Sequence, residues 1–176
     1  MLILIACLNN LGYLSKDNKL MYSFEKDMKF FKEKTLGQKV IMGRKTYESL
    51  GCNPLKQREN IIISSNFTFK IKEEKEHNNV RVLTIEEIDR EIRNNPDLVY
   101  FIMGGGKIYE YFIDRVSKMY LTQVKDMSVG DKNILFPKFN SKNYKINNLY
   151  SGIELDRNSN SHILIDINEY ILTKKL

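Results

Sequence analysis

The chain has 176 residues, of which 42% are hydrophobic and 28% charged, with nine glycines and three prolines. This composition excludes collagen-like and disordered chains, and a chain of this length buries enough surface for a core that needs no metal or disulfide. The two cysteines, Cys7 and Cys52, lie far apart and form neither a metal-binding nor a disulfide motif. We therefore expect no metal site.

The positive charge is spread along the chain. Lys and Arg number 28 against 22 Asp and Glu, a net charge of +6, which favours anionic partners such as phosphates or carboxylates. The 15 basic and 11 acidic residues of positions 1–88, and the 13 and 11 of positions 89–176, form no basic tail, and this argues against nucleic acid. The longest apolar run, residues 2–8, is too short to span a membrane and follows no basic residue as in a signal peptide. We expect a cytoplasmic protein.

Apolar runs and turn residues predict alternating strands and helices. Ser23 is the predicted N-cap of the first helix, which Gly37 ends, Gly51 ends the second helix, and Thr84 is the predicted N-cap of the third. The polar stretch 70–75 is predicted to be a surface loop. In chain order we predict strands at 2–8, 39–42, 60–63, 80–83, 98–103, 120–124 and 163–167, and helices at about 24–35, 44–50, 85–94 and 107–114.

Strands and helices alternate for the first two thirds of the chain, and the remaining strands follow without helices. Parallel strands need crossover connections, whereas antiparallel strands do not. The order therefore predicts an α/β fold, with a largely parallel sheet covered on both faces and an antiparallel edge. No linker or repeat interrupts it, so we expect a single domain over 1–176.

Asp27 lies on the same helical face as Phe24, Met28 and Phe31. A carboxylate among apolar side chains is costly unless it finds donors. Two interpretations remain open from the residues alone: the start of the helix satisfies Asp27, or the carboxylate awaits the donors of a ligand.

Two glycine-containing junctions connect a strand to a helix, at 104–106 and at Gly43-Arg44-Lys45-Thr46. Backbone N–H groups and cations at such junctions suit phosphates, and two junctions suit a dinucleotide. Neither matches the Rossmann or P-loop pattern, so a tight turn and solvated basic side chains remain alternatives. Ser64 and Ser65 either contact a further phosphate or only form a turn.

Taken together, these segments resemble the dihydrofolate reductase family over nearly the whole chain. The resemblance rests on ordered motifs at 4–6, Asp27 with Phe31, 40–49, 60–64, 103–109, 120–122, 130–131 and 136–137. It implies an eight-stranded, mostly parallel sheet with an antiparallel C-terminal edge, flanked by four helices. It also implies NADPH-dependent reduction of 7,8-dihydrofolate to tetrahydrofolate by a cytoplasmic monomer that binds antifolate inhibitors.

The resemblance also assigns the substrate site. Asp27 matches the carboxylate that holds the pterin, Thr122 matches the hydroxyl that partners it, and Tyr22 falls where the family has a catalytically important Trp. Arg58 matches the arginine that binds the glutamate carboxylate of the folate. The remaining substrate positions are Ile5, Met28, Phe31, Leu50, Leu55 and Met103.

For the cofactor, the resemblance implies positions around the pyrophosphate, the 2′-phosphate and the nicotinamide. These are Ala6, Cys7, Leu14, Gly43, Arg44, Lys45, Thr46, Ser64, Ser65, Met103, Gly105, Gly106, Lys107, Ile108 and Tyr109. Residues 9–23 match a mobile loop that closes over the nicotinamide. Met21-Tyr22 replaces the usual Pro-Trp there, Ser15 replaces a glycine, and one extra residue precedes Arg58.

Two other functions are compatible with parts of the pattern. A pyrimidine reductase of riboflavin synthesis shares the fold and NADPH, but Asp27 and the 120–122 motif argue against it. A non-catalytic nucleotide- or RNA-binding protein is disfavoured by the even distribution of charge.

Overall fold

The computed structural model describes residues 1–17, 19–131 and 134–173. The strands are β1 (Leu2–Asn9), β2 (Ser15–Lys16), β3 (Lys19–Leu20), β4 (Lys39–Gly43), β5 (Glu59–Ile63), β6 (Val80–Leu83), β7 (Tyr100–Ile102), β8 (Lys118–Val124), β9 (Tyr144–Asp156) and β10 (Ser161–Leu172). The helices are α1 (Glu25–Thr35), α2 (Arg44–Ser49), α3 (Phe67–Glu76), α4 (Ile85–Asn94) and α5 (Gly106–Phe112), with 3₁₀ turns at Ile113–Arg115 and Ser141–Asn143. Asn18, inside the predicted mobile loop, lies outside the described residues.

Eight strands form one sheet in the order β6-β5-β4-β7-β1-β8-β10-β9. Every neighbouring pair from β6 to β8 is parallel, and β10 runs antiparallel to both β8 and β9. The prediction of a mostly parallel sheet with an antiparallel C-terminal edge is confirmed. None of the helices in the described part of the chain has the length and apolar character needed to cross a bilayer.

Helices cover both faces of the sheet, and β1 shows this most clearly. Leu4 packs in a core cluster with Ile88 of α4 and Phe112 of α5. Ile5, one position later, packs in the opposite cluster, to which α1, α2 and α3 contribute side chains. Successive strand residues point to opposite faces, so the uninterrupted apolar run of β1 reflects burial on both sides, as predicted.

The four helices expected from the sequence are α1, α2, α4 and α5, and α3 is an addition. The prediction of a loop at 70–75 is wrong, because those residues lie inside α3. Asn66 caps the helix by accepting a hydrogen bond from the Phe69 backbone N–H at 2.8 Å. Its inner side buries Glu73, a carboxylate, rather than an apolar stripe, so hydrophobic periodicity gives no signal for it.

Two further differences concern the start of α1 and strand β9. Phe24, not Ser23, is the N-cap residue of α1, and no side chain caps the helix. The backbone N–H of Ser23 instead donates to the buried carboxylate of Asp156 at 2.7 Å. Strand β9 was not predicted, because much of it is solvent-exposed and it pairs with β10 alone, so it lacks the apolar run of a central strand.

Candidate active site

The carboxylate of Asp27 lies in the first turn of α1 and faces β8. Its partner is the hydroxyl of buried Thr122, which donates to Oδ1 at 2.5 Å. Burial raises the pKa of Asp27, and the Thr122 hydrogen bond opposes this in part. A side chain from the sheet therefore binds this carboxylate, which makes helix capping the weaker of the two interpretations.

Most of the predicted substrate residues belong to one apolar cluster. Phe31, Leu50, Leu55 and Met103 all pack against the cluster that contains Ile5. These are five of the predicted substrate residues, and the fold brings them together from α1, β1 and the segments that follow α2 and β7. Met28 differs, because its side chain is 48% exposed.

A large cleft of about 1030 Å³ adjoins this cluster. Twelve of the fifteen predicted cofactor residues line it: Cys7, Leu14, Gly43, Arg44, Lys45, Thr46, Met103, Gly105, Gly106, Lys107, Ile108 and Tyr109. Ala6, Ser64 and Ser65 do not. Cys7 pairs with Thr122 in the β1–β8 register, and the negative charge of Asp27 adds to burial in raising the pKa of the Cys7 thiol. The cleft and the carboxylate therefore belong to one site.

The family model of dihydrofolate reductase matches residues 1–168 of this chain. The chain belongs to the dihydrofolate reductase family. It is therefore an oxidoreductase that reduces dihydrofolate with NADPH, and the pyrimidine-reductase and binding-protein alternatives are set aside.

Curated relatives and solved structures agree with this assignment. The dihydrofolate reductase of Haemophilus influenzae is 32% identical over 146 residues, 82% of each chain. That of Buchnera aphidicola is 34% identical over 139 residues, 77% of this chain and 78% of the relative. The solved dihydrofolate reductase of Enterococcus faecalis, complexed with NADP(H) and RAB-propyl, superposes with a TM-score of 0.78 at 26% identity, over 99% of this chain and 97% of that one.

In this reductase the phosphate-binding half of the cleft is shaped by two helix starts. The N-cap residues of α2 and α5 are Gly43 and Gly105, and neither helix has a side-chain cap. A Cβ on Gly105 would lie 3.1 Å from Thr46 Oγ1. Glycine at the N-cap of α5 therefore lets the starts of the two helices approach each other closely. No side chain caps either helix, so the backbone N–H groups of their first turns are not bonded to a capping side chain.

The loop over the cleft is held by an aspartate. Asp131 accepts hydrogen bonds from the Ser15 hydroxyl at 2.7 Å and from the Asp17 backbone N–H at 3.0 Å. A Cβ on Gly130 would clash with the Ser15 carbonyl oxygen. Ser15, which replaces a glycine of the family pattern, therefore adds a side-chain hydrogen bond that a glycine lacks.

Arg58 has a structural role besides its expected one. Nε and Nη2 donate to Thr35 Oγ1, Nη2 also donates to the Lys32 carbonyl, and Nη1 donates to the Lys56 carbonyl at 2.8 Å. A guanidinium has five N–H groups, and these bonds use four of them. The buried side chain thereby connects the end of α1 to the segment before β5.

Tyr22 makes two contacts that hold its loop in place. Its hydroxyl donates to Asp126 at 2.6 Å, and its ring stacks on Phe24 at 5.8 Å between centroids. Burial, followed by the Asp126 hydrogen bond, raises the pKa of Tyr22. In this arrangement the hydroxyl anchors the loop to the segment after β8.

Sequence reasoning assigned no substrate or cofactor contact to several residues of the cleft. These are Ser15, Lys19, Leu20, Glu48, Ser49, Gly104, Asp131 and Ile134. Gly104 and Asp131 lie within sequence motifs already noted, and Lys19 and Leu20 lie within the 9–23 loop. Their positions in the sequence therefore gave a partial signal that they belong to the site. Another interaction had no sequence signal: the buried Tyr109 hydroxyl donates to the Ile5 carbonyl at 2.8 Å. Among the described residues no cluster suited to a metal ion occurs.

The raised pKa of Asp27 predicts that Asp27→Asn makes the ligand-free protein more stable at neutral pH. The folded-state pKa lies above the unfolded one, so the ionised carboxylate disfavours folding. This penalty is absent below the unfolded-state pKa, grows as pH rises through the folded-state pKa, and is constant above it. Asn carries no such penalty.

Urea unfolding at pH 7 and again near pH 4 measures this difference in the free energy of unfolding. We expect the advantage of Asp27→Asn to shrink at the lower pH. Glu33→Gln, which neutralises an exposed carboxylate on the same helix, is the control and should show little change at either pH. A wild type that is more stable than Asp27→Asn at pH 7 would contradict the assigned desolvation.

Proposed function

We propose that Asp27 and Thr122 hold the pterin ring of dihydrofolate, and that the adjoining cleft holds NADPH with its nicotinamide toward them. One observation carries this proposal: a half-buried carboxylate beside an apolar cluster accepts a hydrogen bond from Thr122 at 2.5 Å and adjoins a cleft of about 1030 Å³. Asp27 and Thr122 are the proposed catalytic residues, and Tyr22, which the resemblance places with them, is proposed as a positioning residue that acts through the loop.

The pterin edge suits Asp27 chemically. A 2-aminopterin presents two neighbouring N–H donors, and a carboxylate accepts two such bonds in parallel. Thr122 donates to Oδ1 and so fixes the plane of the carboxylate. The desolvation that is unfavourable in the free protein is offset by these bonds in the complex, and the negative charge favours protonation at N5 of the substrate.

The cleft fits NADPH by its donors and its shape. Lys45, Thr46 and Lys107 line it beside the uncapped starts of α2 and α5, which suits the pyrophosphate. Arg44, the first residue of α2, is assigned to the 2′-phosphate, with Ser64 and Ser65 near the same end. When bound, NADPH supplies the hydride that reduces the pterin.

The inner end of the cleft orients the reactants and excludes water. Cys7, Leu14, Met103 and Tyr109 line it, and the Tyr109 hydroxyl supports the strand at Ile5. Such walls hold donor and acceptor carbons in contact, which is the main contribution of a protein to hydride transfer. The loop held by Asp131 closes this end, so its opening is the proposed limit on product release.

The remaining assignments complete the proposal. Ile5, Met28, Phe31, Leu50, Leu55 and Met103 contact the substrate, and Ala6 and Ile108 contact the cofactor. The enzyme works as a cytoplasmic monomer with one domain over residues 1–176, and antifolates occupy the substrate site.

Loss of NADPH absorbance in the presence of dihydrofolate, measured beside NADH, tests the proposal. We expect turnover with both substrates present and a preference for NADPH, because Arg44 faces a cleft that also contains Lys45 and Lys107. Binding of NADPH without consumption of dihydrofolate would contradict the substrate assignment. Equal use of NADH would contradict the assignment of Arg44 to the 2′-phosphate.

A further inference from the structure

Helix α3 packs directly on α2, the helix that carries the proposed phosphate-binding residues. The hydroxyl of buried Tyr47, in α2, donates to Glu73 Oε2 at 2.9 Å. Glu73 is 1% exposed, and Nε2 of His77 lies 3.8 Å from the same oxygen, Oε2. A buried carboxylate needs such partners, so this contact fixes where α3 lies relative to α2.

With α3 held there, the ring of Phe69 meets two residues of α2. This ring and that of Tyr47 form a T-shaped pair with centroids 6.1 Å apart. The guanidinium of Arg44 lies over the face of the Phe69 ring, 6.0 Å from the centroid. Arg44 is also 3.5 Å from Glu48, one turn along α2. The guanidinium is therefore oriented between a ring and a carboxylate at the rim of the cleft.

We propose that Phe69 is a positioning residue that orients Arg44 and thereby increases selectivity for a 2′-phosphorylated adenosine. This inference rests on the proposed function, which assigns Arg44 to the 2′-phosphate. A guanidinium over an aromatic face is partly ordered before the ligand arrives, and its N–H edge remains available to the phosphate. Less side-chain freedom is then lost on binding, so the phosphate is bound more tightly.

Calorimetry with two probes isolates this effect from dihydrofolate reduction. Adenosine 2′,5′-bisphosphate carries the 2′-phosphate, and AMP lacks it. For Phe69→Leu we expect the bisphosphate to bind about threefold more weakly, the size of effect that a partly exposed cation–π contact supplies. AMP should bind as in the wild type, and the kinetic preference for NADPH over NADH should fall by a similar factor.

Matched variants separate orientation from folding. Phe69→Tyr keeps the aromatic face and should restore bisphosphate binding, even where Phe69→Leu is poorly folded. Phe67→Leu changes a ring on the same helix that is 72% exposed and should leave binding of both probes unchanged.

Three results would overturn the inference: an equal loss for both probes, no loss for either, or no rescue by Phe69→Tyr. Failure of the proposed function has a different signature. If Phe69→Leu loses the preference of the wild type for the bisphosphate, but the wild type leaves dihydrofolate unreduced, the proposed function is wrong and the role of Phe69 stands. If Arg44→Gln abolishes the preference and Phe69→Leu does not change it, the function stands and the role of Phe69 is wrong.

Discussion

Asp27→Asn is expected to lower the turnover of dihydrofolate at neutral pH by about two to four orders of magnitude, the usual range for loss of a group that assists proton transfer. Asn keeps an oxygen that accepts the Thr122 hydrogen bond, so the site stays folded. It cannot accept two N–H bonds from the pterin, and it has no charge to favour protonation at N5. NADPH binding should be unchanged, because Asp27 does not line the cofactor cleft.

The pH profile distinguishes this role from a purely structural one. The wild-type profile should contain a step above the usual range of an aspartate, because burial raises the pKa of Asp27. The Asn variant should lack this step and recover activity as the pH falls, since acid protonates the substrate directly. Glu33→Gln is again the control. Unchanged turnover in Asp27→Asn would assign the role to another residue.

The second large effect is expected at Arg58, on substrate affinity. Arg58→Leu should raise KM for dihydrofolate about ten- to a hundredfold, the value of a lost charge-assisted hydrogen bond. The turnover number should change much less, because the glutamate carboxylate lies far from the reacting carbons.

Because Arg58 also donates to Thr35 and to the Lys32 and Lys56 carbonyls, its loss affects stability as well. A substrate without the glutamate tail, 7,8-dihydropterin, separates the two effects. Its kinetics should be the same in wild type and variant if Arg58 acts on the carboxylate alone. A similar loss with both substrates would indicate that the extra residue before Arg58 shifts the register and that another side chain holds the tail.

Many of the strands and helices were predictable from the local sequence pattern. The run at 2–8 is apolar at every position, and this pattern is typical of a strand buried on both faces, which β1 is. Thr84 with Glu87 forms a capping box at the start of α4, and capping of this kind depends only on residues three apart. Such signals are short-range, so they are present in the sequence alone.

The elements that were missed or misplaced depend on distant partners. Helix α3 is stabilised where Glu73 meets Tyr47, 26 positions earlier in the chain. The start of α1 moves from Ser23 to Phe24 because Asp156, 133 positions away, accepts the Ser23 N–H. The hydroxyl of Tyr22 likewise donates to Asp126, which lies 104 positions later in the chain. Tertiary contacts of this kind override local propensity.

By itself, the sequence determined the order of strands and helices, the family through its ordered motifs, and the types of side chain available for chemistry. Only the tertiary structure decided that Tyr22 donates to Asp126, that Asp131 holds the loop at Ser15, and that Phe69 lies against Arg44. The physical reason is the separation along the chain over which each kind of interaction acts. Propensity, capping and periodicity act over a few residues, whereas a carboxylate finds its partner through the packing of elements that are far apart in the chain.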